Sequence, residues 1–158
     1  MRNVSIRSAA LTAVALLSFG ATASAAFTRP AVTATSFRGD EVENVSIETR
    51  DRQTMHGTLT VPSSRSLVPA SLLVHGPGGS RKDLEKLGER LVEQGFAVLT
   101  LDLRGHGDSI SDDFDWGQCG DEKAQMNLWA LALKDLEAAA DFLSNDKRIH
   151  STSLAVVG

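Results

Sequence analysis

The sequence predicts an α/β fold in which an N-terminal β-hairpin leads into parallel βαβ units, and three observations carry that expectation. Residues 72–74 and 97–101 are short, uninterrupted apolar runs, and each ends abruptly in a glycine-rich polar loop. One amphipathic segment with its own start and stop signals separates them. Upstream, residues 42–61 hold two stretches of apolar–polar alternation with a polar turn between them. Continuous apolar runs suit strands covered on both faces, and alternation suits strands covered on one. Strand, helix and strand in that order join by a right-handed crossover, which makes the two strands parallel. Loops leaving the carboxyl ends of such strands line the ligand crevice of open α/β sheets.

Residues 1–25 are set apart from the fold. Arg2 and Arg7 make a basic start, residues 9–19 are uncharged and largely apolar, and Ala23-Ser24-Ala25 offers small residues for cleavage. That is the pattern of a secretory signal peptide. The apolar run is about half the roughly 20 residues that a membrane-spanning helix needs, so no stable span is expected after cleavage. The expected location is secreted or periplasmic. The formal charge of -4 gives no basic footprint, and removing Arg2 and Arg7 makes the chain more acidic still, so nucleic acid is not an expected partner. Cys119 is the single cysteine, so no internal disulfide can form. Residues 26–41, rich in Thr, Ala and Ser around Pro30, read as a flexible leader, and residues 42–158 as the domain.

The elements follow in order. Val45 and Ile47 alternate with Asn44, Ser46 and Glu48, predicting a half-buried strand over 42–48. After a polar turn at 51–53, Leu59 and Val61 resume the alternation, and Pro62 closes the hairpin. His56 reads as a strand-surface histidine, since no partner residues surround it in sequence. Residues 71–74 form a buried strand that enters His75, Gly76, Pro77, Gly78 and Gly79. Ser80 with Asp83 matches a capping box, Leu84, Leu87 and Leu91 predict the inward helix stripe, and Gly95 the stop. Residues 96–103 form the next buried strand, which runs into Asp102-Leu103-Arg104-Gly105-His106-Gly107-Asp108-Ser109. Asp112, Asp113, Asp115, Asp121 and Glu122 crowd the following segment. They lack the calcium-loop order with glycine at the sixth position, so a solvated loop is expected. Leu128, Ala132, Leu136, Ala139 and Leu143 define a second helix over 124–143, with Met126 and Trp129 packing at its edge. Residues 154–157 open another apolar strand, followed by Gly158.

Several motif matches fail on inspection. The 76–82 glycine loop lacks the Gly-Lys-Ser/Thr ending of a phosphate loop, and Ile110 occupies the third glycine position of a dinucleotide loop. No His/Cys spacing suits zinc. Gly107-Asp108-Ser109-Ile110 resembles the nucleophile block of GDSL esterases, but there the block follows the first strand, and here the fourth.

The larger pattern is VHGPGG after one strand, DLRGHGDS after the next, then a helix and an AVVG strand. It resembles the α/β-hydrolase superfamily over residues 42–158, and most of all the dienelactone-hydrolase and serine-aminopeptidase-like esterases. The resemblance implies an α/β-hydrolase fold truncated after the fifth strand. It also implies an oxyanion-hole loop at His75, Gly76, Pro77, Gly78 and Gly79, where one backbone N–H would meet the substrate oxygen. The residue after His-Gly usually donates, but here it is Pro77, which has no N–H. Either Gly78 donates or the hole is atypical. Asp102, Arg104, Gly105, His106 and Gly107 match the family's structural loop, and Gly158 the first glycine of the G-x-S-x-G nucleophile elbow.

The expected function is that of a secreted, esterase-type serine hydrolase fragment. Its parent would cleave small-molecule carboxylic esters by a Ser-His-Asp mechanism, with no cofactor and no metal. The nucleophile, acid and base are not assigned to any of these residues, so the fragment itself is expected to be inactive. The alternatives are a peptidase or thioesterase of the same fold, a chain completed by a separate polypeptide, or a non-catalytic pseudogene fragment.

Overall fold

The computed structural model describes residues 39–158, so the stretch 1–25 expected to be a signal peptide and residues 26–38 of the expected leader lie outside the described part. β1 (Glu41–Glu48) and β2 (Thr54–Val61) form the expected antiparallel hairpin, with Val45 opposite Gly57. Val45, Ile47, Met55 and Leu59 point into the core, as their alternation requires. β3 (Val68–Val74), β4 (Ala97–Leu101) and β5 (Ile149–Val157) complete one five-stranded sheet in the order β1-β2-β4-β3-β5. β4 pairs antiparallel with β2, while β3 runs parallel to both β4 and β5.

β3 is longer than its apolar signal because it begins before Pro69. A register shift between Val68 and Ala70 takes Pro69 out of the β5 ladder, so its missing N–H breaks no bond there. β5 likewise starts at Ile149, upstream of the expected strand. Its early residues, His150 to Ser153, are exposed and polar and carry no hydrophobic period.

The two helices cover opposite faces. Neighbouring residues on a strand point to opposite sides. Leu72 accordingly joins the core beneath α2 (Glu122–Ser144), and Leu73 packs with Val92 of α1 (Glu85–Glu93). The inward face of α1 differs from the expected one: Gly88 and Val92 are buried, while Leu87 is 39% exposed. Hydrophobic periodicity counts leucines and passes over Gly88, yet it is the missing side chain that seats the helix. A Cβ on Gly88 would touch Val98, Leu73 and Thr100 at 3.5–3.9 Å.

The start and stop signals of the first helix act as expected. The Ser80 N–H donates to Asp83 Oδ2 at 2.8 Å, capping a 3₁₀ turn (Arg81–Leu84) that runs into α1. Gly95, with φ +89°, ends the helix. Asp121, read from the sequence only as a loop acid, caps α2 by accepting the Ala124 N–H at 2.8 Å.

Candidate active site

Three parallel strands deliver three segments to one end of the sheet. β3 ends in the 75–79 loop, β4 in the 102–109 loop, and β5 in Gly158. The expected oxyanion loop and the expected start of the nucleophile elbow are therefore neighbours. A Cβ on Gly158 would lie 3.0 Å from the Val74 carbonyl oxygen.

His75 is buried, and its Nε2 accepts the Leu103 N–H at 3.1 Å. Nδ1 must then carry the proton, which it donates to the Gly76 carbonyl at 2.8 Å. His106 repeats the arrangement. Its Nε2 accepts the Gly78 N–H at 3.1 Å, and Nδ1 donates to the Arg104 carbonyl at 3.0 Å. The two imidazoles lie 4.9 Å apart, and Trp116 also packs on His106 at 4.9 Å, with Trp129 at its edge. Trp116 is held there by its N–H, which donates to the Gly105 carbonyl at 2.9 Å. The acidic segment is the solvated loop expected, with Asp112, Asp113, Asp121 and Glu122 exposed, but it is also held down as a cap. Two aromatic anchors explain this: Trp116 on His106, and Phe114 under the Arg104 guanidinium at 5.2 Å.

Most of the loop's backbone N–H groups are already committed. Pro77 has none, Gly78 gives its N–H to His106, and Gly79 gives its own to the Gly76 carbonyl at 3.0 Å. Among the described residues, the Gly76 amide is the one between 76 and 79 that meets no acceptor.

The 102–109 loop is moored at every turn. Asp102 is buried; its Oδ1 accepts the Arg81 N–H at 2.7 Å, and its Oδ2 accepts the Arg81 guanidinium and the Asp108 N–H. Gly107 sits so close, at φ +51°, that a Cβ there would lie 2.4 Å from the Asp102 carboxyl. Gly105, at φ +75°, leaves no room for a Cβ beside Leu128 and the Trp116 amide. The Arg104 side chain is taken up by two carboxylates. Its Nε donates to Asp135 on α2 at 2.9 Å and its Nη1 to Asp51 in the hairpin turn at 2.9 Å. Ser109 Oγ donates to the Asp102 carbonyl and accepts the His56 N–H, each at 2.8 Å. That hydroxyl is buried and doubly engaged, which leaves it no part as a GDSL-type nucleophile. His75, His106 and Ser109 therefore form no nucleophile–base pair.

Asp135, Asp51 and Trp116 were missed in the sequence. Asp135 did leave a trace: it is an acid on the apolar stripe of α2, between Ala132 and Ala139. Asp51 and Trp116 left none, because their partners are distant in sequence.

Burial pushes the His106 pKa below the usual histidine value, opposed by the hydrogen bond to the Arg104 carbonyl. An unfolded imidazole titrates near pH 6.5, so the unfolded chain takes up this proton first. The His106 contribution to stability is whole above about pH 6.5 and is lost as pH falls through the lower native value. Asp51 acts in the same sense at lower pH, since the Arg104 guanidinium holds its carboxyl well below the usual carboxylate range. We expect the urea midpoint to be level near neutral pH and to drop on acidification. His106→Phe should flatten the upper part of that drop, and an unchanged profile would refute this assignment.

Among the described residues, no helix is long and apolar enough to cross a membrane, and no group of three or more His, Cys, Asp and Glu is placed to hold a metal ion.

The family model described as "Serine aminopeptidase, S33" matches residues 67–158, more than half of the chain. The quorum-quenching protein AidA of Acinetobacter baumannii is 34% identical over 73 residues, covering 46% of this chain and 23% of AidA. Acetyl xylan esterase 1 from Thermoanaerobacterium superposes with a TM-score of 0.62 at 19% identity, over 80% of this chain and 43% of the esterase. The Pyrococcus furiosus esterase Pf2001 gives a TM-score of 0.57 at 22% identity, over 82% of this chain and 48% of its own. The chain thus spans less than half the length of each of these relatives.

Proposed function

The chain belongs to the serine aminopeptidase S33 family of α/β-hydrolases, and from that premise we propose that it is the oxyanion-loop half of a secreted serine hydrolase acting on small carboxylic esters. The observation that carries this reading is the placement of Gly158 against the Val74 carbonyl, beside the 75–79 loop. An elbow continuing from Gly158 would raise its serine at the mouth of that loop. The serine hydroxyl would attack the ester carbonyl and pass its proton to a histidine, while loop amides stabilise the negative charge on the carbonyl oxygen. The serine, its acid and its base are then to be sought in coding sequence continuing from codon 158. The esterase neighbours support an ester over an amide substrate, whereas the family description keeps an aminopeptidase as the second reading. The signal-peptide pattern supports export.

Residues 26–158 alone are expected to hydrolyse p-nitrophenyl acetate no faster than buffer. A chain extended in frame is expected to carry x-Ser-x-Gly after Gly158, to be labelled by a fluorophosphonate at that serine, and to turn over the ester. Preference for an aminoacyl p-nitroanilide would favour the peptidase, and an early stop codon would end the proposal.

A further inference from the structure

Gly78 is the first residue after His-Gly able to donate from its backbone, yet its N–H is already bonded to an imidazole. We infer that His106 is the positioning residue of the 76–79 loop: its Nε2 lone pair holds the Gly78 N–H and so sets the loop shape in which the Gly76 amide stays unspent.

The histidine is built for that task from three sides. Its ring packs against both His75 and Trp116, each 4.9 Å away. Its Nδ1 proton is committed to the Arg104 carbonyl, which leaves Nε2 bare and pointed at Gly78. That carbonyl is itself anchored, because the Arg104 N–H and guanidinium both bond Asp135 on α2. On the loop side, Gly78 has φ +74°, and a Cβ there would come within 3.4 Å of Trp116 Nε1. Backbone freedom and close approach both require glycine at this point.

The same bond makes the loop responsive to acid. A second proton on His106 would turn Nε2 from an acceptor into a donor aimed at another N–H, and the bond would be lost. The charged and titratable groups around the ring come from each packed element. His75 faces it from the end of β3, Asp135 from α2, and Asp102, paired with Arg81, from its own loop. The cap brings Trp116, preceded by Asp115, whose carboxylate is engaged by the Gly117 N–H.

As a claim about an oxyanion loop this inference rests on the proposed function; as a claim about a hydrogen bond it does not. The test is a trans-hydrogen-bond ¹⁵N–¹⁵N coupling between the Gly78 amide and His106 Nε2 in the full chain. The coupling is expected near neutral pH, with the Nδ1-protonated tautomer in the His106 ¹⁵N shifts. Both signals should vanish together as His106 titrates, and Gly78 amide exchange should then quicken roughly tenfold, as for loss of one net hydrogen bond. His106→Phe keeps an aromatic ring beside Trp116 and should abolish the coupling, while His106→Gln, with an amide oxygen, should restore part of the Gly78 protection. Absence of the coupling in the wild-type chain, or a Gly78 amide indifferent to His106 titration, would overturn the inference. Failure of the extended chain to hydrolyse esters would sink the proposed function and leave this result standing.

Discussion

Asp135→Leu is expected to cost about 3–5 kcal/mol of stability, the range for removing one partner of a buried ion pair. Asp135 and Arg104 are 0% and 1% exposed as side chains, so water cannot replace the lost carboxylate. The damage exceeds one salt bridge. The carboxylate accepts from the Arg104 backbone N–H, Nε and Nη2, so its removal strands several donors at once. Asp51 stays on Nη1 and limits the loss, because the guanidinium keeps one anionic partner. Replacing both members, as Arg104→Met with Asp135→Leu, is expected to recover much of the stability, since a buried pair is often no better than well-packed apolar residues. Urea unfolding followed by circular dichroism measures both. A single variant within about 1 kcal/mol of wild type would contradict the account, since that is the range of exposed pairs.

Gly107→Ala is expected to be nearly as damaging, for a different reason. The new Cβ would sit 2.4 Å from the Asp102 carboxyl carbon, a distance no packing allows. Asp102 cannot step aside cheaply, because Arg81 and the Asp108 N–H hold it. Left-handed backbone costs a residue with a side chain roughly 1–2 kcal/mol, and each hydrogen bond lost to a charged group adds about 1.5–3 kcal/mol. Gly95→Ala is the control: Gly95 also has positive φ, but a Cβ there would meet nothing within 4 Å. It should show the backbone cost alone. Equal losses at the two glycines would mean that the Asp102 clash is not the cause.

Both residues show where sequence reasoning stops. Gly107 was read in a motif loop, but nothing in the sequence says that a carboxylate 2.4 Å away forbids its Cβ. Asp135 sat in plain view on an apolar helix stripe, but its partner lies 31 positions upstream. Leu87 and Gly88 make the same point for packing. Hydrophobic periodicity ranks side chains by transfer free energy and gives glycine no weight, so it chose the leucine, and the helix buried the glycine. Pro69 hid the start of β3 because a proline argues against a central strand until the register shift beside it is known.

Read alone, the chain specifies the hairpin, the buried strands, both helices, the start and stop signals of the first, and the loops that leave the carboxyl ends of β3 and β4. These follow from local alternation, helical period and turn chemistry, which act over a few residues. The assembled fold alone sets the strand order that brings Gly158 beside Val74, and the pairing of Arg104 with Asp135 and Asp51. It also decides the use of the Gly78 N–H by His106. Each of these joins groups 28 to 84 residues apart, and such contacts depend on which faces meet once the sheet is assembled.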